Sequence, residues 1–436
     1  MKKLDDLIDR KKAGALIVLL IIAAAVMIFT ACEDTLMRQS YKAISGAAEW
    51  TESDQLLPDS GAADDNFGRS AAISGDYAIV GSPLNDDMGN SKGAAFLYKW
   101  NSKKSLWEYK TTLYGDYGTS YLWEYFGCSV DIDGEYLVVG AQGYSIDGSN
   151  PFRGAVYIYK INTDSTCTLQ EKVIGEENND ELGYSVAIHG DYAIAGAPGY
   201  NSDEGRAYIY ERNGTDWDYG DAGKGIELKK SDGPSFGFNP DFGKSVDIDG
   251  LYATVGAPGH DQIGKVYVYN NIDGTWGTSG FQEDDSIVSP NGQSGDQFGT
   301  TVSQWQELLA VGSLGNGGFA HVFNRSGGFY SLSQSLEDPK KTNLDSYGGD
   351  VAVYGDWILV GSAKADSNGT DSGALTLFFY FDSEWMLFDK FTSLKAGAYE
   401  TFGNALGIDG DTLVVGAQCD TGELAETGSA FIYQFE

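Results

Sequence analysis

Several kinds of residue are scarce in these 436 residues, and each scarcity excludes something. Cysteine occurs four times, at Cys32, Cys128, Cys167 and Cys419. That is too few for a small domain stapled by disulfides. Histidine occurs three times, at His189, His260 and His321. So few thiols and imidazoles leave little with which to build a zinc site. Proline numbers only 9 against 58 glycines, a balance that favours tight turns over stiff linkers. Cationic residues are also few. There are 29 Lys and Arg against 63 Asp and Glu, a formal charge of −34. Such a chain repels phosphate backbones, which argues against nucleic acid as a partner. No helical periodicity of useful length follows residue 45. What is abundant is apolar and aromatic: 42% hydrophobic residues, with 27 Tyr, 21 Phe and 9 Trp. That is enough to fill a large core and to exclude general disorder.

The first 32 residues read as an address. Lys2, Lys3, Arg10, Lys11 and Lys12 give a basic start, and Ala13 to Ala31 follow without a charge. A basic flank before an apolar stretch is the pattern of an export signal. The stretch ends in Phe29-Thr30-Ala31-Cys32, which resembles the lipobox of bacterial lipoproteins, with Phe29 where Leu is usual. The resemblance implies a lipid attached to Cys32 and cleavage before it. An uncleaved anchor helix is the other reading, because the apolar stretch is nearly long enough to span a bilayer. Either way the basic flank stays inside and the rest of the chain is exported, held at the cell envelope through its N-terminus. Residues 33–45 read as a tether, and residues 46–436 as the folded domain.

That domain is repetitive. An aromatic residue or Leu followed by Gly recurs about every 56 residues: Phe67-Gly68, Phe126-Gly127, Leu182-Gly183, Phe242-Gly243, Phe298-Gly299, Tyr347-Gly348 and Phe402-Gly403. A short alternating segment follows each, then a Gly-Asp or Asp-Gly turn. Next comes an apolar run ending in Gly-Ala-Pro or a variant, as in Gly196-Ala197-Pro198 and Gly256-Ala257-Pro258. A polar loop leads to a third segment such as Val266-Tyr267-Val268-Tyr269. A turn then leads to a fourth, often opening with Trp: Trp107, Trp217, Trp276 and Trp385. Alternation of period two and Asn-Gly or Asp-Gly turns argue four short strands per repeat. Four-stranded units at a fixed period are propeller blades.

The paired landmarks resemble the FG-GAP repeat, known from the amino-terminal propeller of integrin alpha chains and from bacterial surface proteins. The resemblance covers essentially the whole exported chain. The expected fold is therefore all-β: a seven-bladed β-propeller of four-stranded antiparallel blades. The chain ends on the third strand of the seventh repeat, while Trp50 to Leu57 form a spare segment before the first. This segment is expected to serve as the outer strand completing the last blade and closing the ring.

Function is expected on loops. The second-to-third and blade-to-blade loops share one face of a propeller, and here they are long and acidic. They contain Asp64, Asp65, Asp86, Asp87, Asp147, Glu176, Glu177, Asp180, Asp203, Glu204, Asp261, Asp284, Asp285, Asp366, Asp371, Asp420 and Glu423. Variable loops on a rigid scaffold are where binding usually resides. Asp86, Asp87, Asp147, Asp203, Glu204, Asp261 and Asp420 are taken as the partner-binding face, with a protein or glycan of the envelope as partner. Dispersed carboxylates also serve solubility. Calcium is the candidate ion, with Asp366, Asn368 and Asp371 as candidate ligands. The Asp-rich cation loop that integrin propellers carry between first and second strands is missing. Asp131-Ile132-Asp133-Gly134 and Asp247-Ile248-Asp249-Gly250 are too short for it and read as strand end plus turn. The three histidines occupy unlike positions in successive repeats, and no nucleophile elbow appears, so no catalytic residue is assigned. The reading is a binding or adhesion module. The alternatives are a polysaccharide-processing enzyme using paired carboxylates and an envelope assembly scaffold.

Overall fold

The computed structural model describes residues 49–62, 64–116, 123–146, 152–219, 225–232, 239–272, 276, 281–339, 341–342, 345–367, 369–393, 399–418 and 427–436. The export signal, the tether, Cys32, Asp147, Asn368, Cys419, Asp420 and Glu423 lie outside these residues. The chain forms two compact units, one of residues 52–434 and one of residues 1–51 with 435–436. In the smaller unit, the Glu49 N–H donates to the Glu436 carbonyl (2.7 Å) and the Glu436 N–H to that of Glu49 (3.0 Å). The Trp50 and Phe435 rings lie 5.4 Å apart there.

The larger unit is an all-β propeller of seven blades. Blade 1 is Ser70–Ser74, Tyr77–Ser82, Ala94–Asn101 and Leu106–Leu113, paired in that order. Blade 2 is Phe126–Asp133, Tyr136–Ala141, Ala155–Ile161 and Cys167–Ile174; blade 4 is Ser245–Asp249, Tyr252–Ala257, Lys265–Asn270 and Asp285–Val288. Blade 5 is Phe298–Trp305, Leu308–Ser313, Phe319–Ser326 and Phe329–Leu336; blade 6 is Tyr347–Tyr354, Trp357–Ser362, Ala374–Phe381 and Glu384–Phe391. Every pairing within these blades is antiparallel. Blade 7 contains Ala405–Asp409, Thr412–Ala417 and Ser429–Phe435, with Trp50–Leu56 in the outer position. There the Ser53 hydroxyl donates to the Ile432 carbonyl (3.3 Å), and the Gln55 side chain to the Ser429 hydroxyl (2.9 Å).

Two fourth strands differ from expectation. In blade 3, after Ser185–His189, Tyr192–Ala197 and Arg206–Asn213, the outer position is split. Asp216–Tyr219 carries Trp217, and Ile226–Lys229 continues the pairing further along, with Phe281–Gln282 parallel beside it. In blade 4 the outer strand is Asp285–Val288 and does not open at Trp276. Trp276 is nevertheless buried, its ring edge-on to Tyr192 of blade 3 at 5.9 Å. An indole buries enough area to hold its place with or without a strand around it.

The repeated landmarks fold the chain in two steps. Each aromatic-Gly pair occupies the centre of a tight turn. In blade 1 the Arg69 N–H donates to the Asn66 carbonyl (3.2 Å), and Gly68 sits at φ 87°. A turn with positive φ at its third residue requires glycine there. The preceding residue is also left-handed in all seven blades, from Asn66 to Thr401, with φ between 51° and 57°. The second glycine, from Gly-Ala-Pro, works between blades. A Cβ on Gly140 of blade 2 would lie 1.9 Å from the Gly183 carbonyl of blade 3. The same contact recurs around the ring and ends with Gly416 of blade 7 against the Gly68 carbonyl of blade 1. Blades therefore approach backbone to backbone, which explains why second strands such as Leu137, Val138 and Val139 are buried on both faces. The fifth repeat, in which Gln304-Trp305-Gln306-Glu307 replaces the Gly-Asp turn and Gly312-Ser313-Leu314 replaces Gly-Ala-Pro, and the sixth, with Gly361-Ser362-Ala363, form the same four strands.

First strands of all seven blades line a central channel of about 530 Å³. Among the described residues, helix is confined to one turn at Tyr200–Asp203 and a 3-10 turn at His260–Gln262. No helix of the described residues is long and apolar enough to cross a membrane.

Candidate binding face

The second-to-third loops of blades 1, 3, 4 and 6 hold Asp86, Asp87, Glu204, Asp261, Asp366 and Asp371, together with the backbone of Asp203. Because every second strand runs the same way, these loops emerge at one end of the sheets. Their carboxylates are not equivalent. Asp86 accepts the Ser91 N–H (2.6 Å), and Asp366 accepts the Asp371 N–H (2.9 Å), each bond spanning five residues. Ser91 and Asp371 are both left-handed, at φ 43° and 51°. Blades 1 and 6 thus share one loop conformation, in which the first carboxylate shapes its own loop. Asp87 accepts from the Tyr114 hydroxyl (3.2 Å) and from Ser60. Glu204 pairs with Lys230 at 2.8 Å, which neutralises it. Asp261 projects into solvent from a left-handed residue at φ 49°. These groups sit on separate blades. Among the described residues no group of three or more His, Cys, Asp and Glu is placed to hold a metal ion.

Not every acidic loop residue belongs to this face. Asp65 and Asp180, expected on it, are only 2% exposed. They are two of six acids that precede the aromatic-Gly pair by two residues: Asp65, Glu124, Asp180, Asp296, Asp345 and Glu400. All six are buried, and only blade 4 has another residue there, Pro240. Asp65, Asp180, Asp296 and Asp345 each accept an N–H of the loop that enters their blade. Asp65 accepts from the Ala62 N–H (2.8 Å) and the Asn85 side chain (3.0 Å). Asp296 accepts from Ser289 (2.7 Å), the Gln293 N–H (3.0 Å) and Asn316 (2.7 Å). Glu124 meets the buried Lys92 ammonium at 2.5 Å. Burial pushes the Asp180 carboxyl up to about 6 and raises that of Glu124, which Lys92 only partly offsets. The signal was present in the sequence as an acid at a fixed offset, but offset alone does not distinguish a buried acceptor from a solvated charge.

Asp284 and Asp285 are also placed differently from expectation. Asp285 opens the outer strand of blade 4 at the hairpin end and accepts the Tyr330 N–H (3.2 Å), while Asp284 accepts that of Asn270 (2.7 Å). The hairpin end has further acids that join neighbouring blades. Asp133 accepts the Gly190 N–H (2.6 Å) and Asp409 the Gly75 N–H (2.6 Å). Negative charge therefore lies at both ends of the sheets.

Two polar clusters bear on catalysis. In blade 4, His260 Nε2 lies 3.3 Å from Asp232, which also accepts from the Tyr267 hydroxyl (2.8 Å) and the Lys265 ammonium (2.6 Å). A matching tie joins the Tyr157 hydroxyl to Asp116 (2.9 Å), with Lys172 on the same carboxylate. In both, a carboxylate from the loop after one blade's outer strand meets the third strand of the next blade. This repetition marks a packing device. The second cluster lines the channel, where Asp131, Asp247 and Asp350 face inward. Each carboxylate accepts one N–H from its own strand and one from the next blade: Ile188 (2.7 Å), Gln304 (2.6 Å) and Leu406 (2.8 Å). Burial pushes Asp131 and Asp350 up to about 7 and Asp247 well above the usual carboxylate range. His321 is fully buried in blade 5, with burial pulling it down to about 4, and His189 lies at a turn 3.5 Å from Asp249. Among the described residues, the three histidines do not converge. Cys128 and Cys167, on the first and fourth strands of blade 2, are free thiols.

In comparison with known proteins, the family model described as FG-GAP repeat matches residues 50–98, 123–159, 175–210, 334–378 and 385–433. The fourth repeat and most of the fifth lie outside the matched regions, yet both form blades. No curated protein matches the chain.

Proposed function

The chain is an FG-GAP repeat propeller, and on that premise we propose that it is a binding or adhesion module of the cell envelope. The observation that carries this is the contrast between scaffold and loops. Backbone-to-backbone contacts fix the blades, while the loops at one end present Asp86, Asp87, Asp261 and Asp366 at the surface. Exposed charge on a rigid frame steers an oppositely charged partner and costs little ordering on binding. The partner is a protein or glycan of the envelope or its surroundings. The basic flank and apolar residues 13–31 supply the export signal, with lipid on Cys32 or an anchor helix holding the chain at the membrane.

The test is attachment of cells that display the chain. Replacing Asp86, Asp87 and Asp261 together with Asn is expected to reduce attachment several-fold without moving the melting temperature. Undiminished attachment would place binding elsewhere.

Calcium dependence is the finer form of this proposal, with Asp366, Asn368 and Asp371 as ligands. A site filled at a hundred times its Kd stabilises by about 2.7 kcal/mol. Thermal unfolding with calcium is then expected to occur several degrees higher than with a chelator, at fixed ionic strength. Magnesium should give no such rise. Identical melts in calcium and chelator would leave the acidity to solvation alone.

A further inference from the structure

The loop end of the central channel is ringed by the residues that directly follow the aromatic-Gly pairs, one from each blade. Two are cations, Arg69 of blade 1 and Lys244 of blade 4, three blades apart and so on opposite sides of the mouth. The others are Cys128, Tyr184, Thr300, Gly349 and Asn404, and none of the ring is acidic, in a chain of charge −34. Arg69 is exposed and, among the described residues, its guanidinium has no hydrogen-bond acceptor and no ion pair. Elsewhere the chain pairs its cations with acids, as Lys172 with Asp116, Arg212 with Asp191 and Lys390 with Asp338. Burial raises Asp350 and Arg69 draws it back only in part, but Asp350 spends its two oxygens on the Val351 (3.0 Å) and Leu406 (2.8 Å) N–H groups. The Lys244 ammonium lies 4.2 Å from the centre of the Tyr184 ring. Burial pulls that ammonium down, while Tyr184, Asp241 and Glu181 together raise it by more.

Below the mouth the wall offers hydroxyls, all half-buried. Ser129 Oγ accepts the Val186 N–H (3.0 Å) and Ser303 Oγ that of Val353 (3.2 Å), so each keeps its own proton to donate. Ser70 and Ser185 donate to the Gly127 and Gly243 carbonyls (2.9 Å each) and keep lone pairs to accept.

We propose that this end of the channel binds a small hydroxylated carboxylic acid, its carboxylate on Arg69 and Lys244 and its hydroxyls on the serines below. Charge selects an anion, because Arg69 has no counterion within the described chain, and its planar fork matches a carboxylate. The neighbours limit that anion to one charge. Asp350 on the Arg69 side, and Asp241 and Glu181 on the Lys244 side, oppose a second, which disfavours a phosphate dianion. A cavity of about 530 Å³ takes a ligand the size of one sugar acid, not a folded partner. The charge of −34 repels anions at long range, but salt screens exposed charges beyond about 8 Å. The site is separate from Asp86, Asp87 and Asp261, and the inference does not depend on what those loop acids bind.

Titration calorimetry of the full chain in detergent, with glucuronate as the probe, tests this. The expected Kd is on the order of 100 µM, as suits so few ligand atoms. Glucose, which lacks the carboxylate, and acetate, which lacks the hydroxyls, should each bind at least ten-fold more weakly. Arg69→Gln should weaken glucuronate at least ten-fold with unchanged melting, because the exposed side chain makes no contact to lose. Lys244→Met, which keeps a stem over Tyr184, should weaken it several-fold. Lys103→Gln, on an exposed hairpin of blade 1, should leave it unchanged. No glucuronate binding at about 10 mM overturns the proposal. So does glucose or phosphate that binds as tightly as glucuronate, and so does glucuronate binding that survives Arg69→Gln.

Discussion

Carboxylates in this protein do three different jobs, and position in the repeat decides which. Two residues before the aromatic-Gly pair they are buried acceptors that organise a loop, as with Asp65 and Asp296. Inside the first strands of blades 2, 4 and 6 they join adjacent blades across the channel wall. In the second-to-third loops, as with Asp86 and Asp366, they face solvent. The channel acids have a consequence for stability. Asp131 and Asp350 titrate near 7 in the folded chain because burial disfavours their charge, and near 4 when unfolded. Between those values the folded state holds more protons than the unfolded one, so stability falls as pH rises across that window. Melting is expected to occur at higher temperature at pH 5 than at pH 8, and Asp131→Asn with Asp350→Asn should flatten the slope. A wild-type melt that is level from pH 5 to 8 would contradict it. The loop acids Asp86 and Asp366 were legible as candidates from sequence. The burial of Asp65 and Asp180 was not, because a carboxylate carries no local mark of the N–H groups that will surround it.

Strands and turns are where the sequence speaks most directly. Alternation, turn dipeptides and the two glycine landmarks give four strands per repeat, and even the irregular fifth repeat folds so. The landmarks differ in what they do. Gly134, at φ 56° in a hairpin, has nothing within 4 Å of a Cβ, whereas a Cβ on Gly140 would strike the next blade. Gly134→Ala should therefore cost about 1 kcal/mol, the price of a left-handed alanine. Gly140→Ala should cost about 3 kcal/mol, because backbone of another blade must move. Equal costs, measured by denaturant unfolding, would mean that the blades do not rest on these glycines. Where the sequence misleads at this scale is Trp276. A tryptophan after a turn looks like the start of a strand, but its ring is held by Tyr192 of the preceding blade while the strand begins at Asp285. Packing across blades overrides the local signal.

At the scale of the whole molecule, seven equivalent contacts close a ring, and the contact between blades 7 and 1 is the one whose partners are farthest apart in the chain. Gly416 meets the Gly68 carbonyl, and Asn404 donates to the carbonyls of Gly68 and Arg69, both at 3.1 Å. Next to it, Asp54 of blade 7's outer strand accepts the Trp107 N–H of blade 1 (2.8 Å). Deleting residues 46–58 removes that outer strand and exposes an apolar edge at Phe431 and Tyr433. The melting temperature should drop by ten degrees or more, on the order of what the loss of a blade's edge implies. An unchanged melt would show that the ring holds without this strand.

The sequence by itself determined the number of blades, the four-strand unit, and which loops carry charge, because periodicity and turn chemistry are local. It could not determine which glycines touch or which acids are buried. Those depend on contacts between residues some 50 positions apart, as Asp131 with Ile188 and Gly140 with Gly183. Only the packing of one blade on the next brings such residues within reach of each other, and burial by a neighbouring blade is what changes the chemistry of a carboxylate or the tolerance of a glycine.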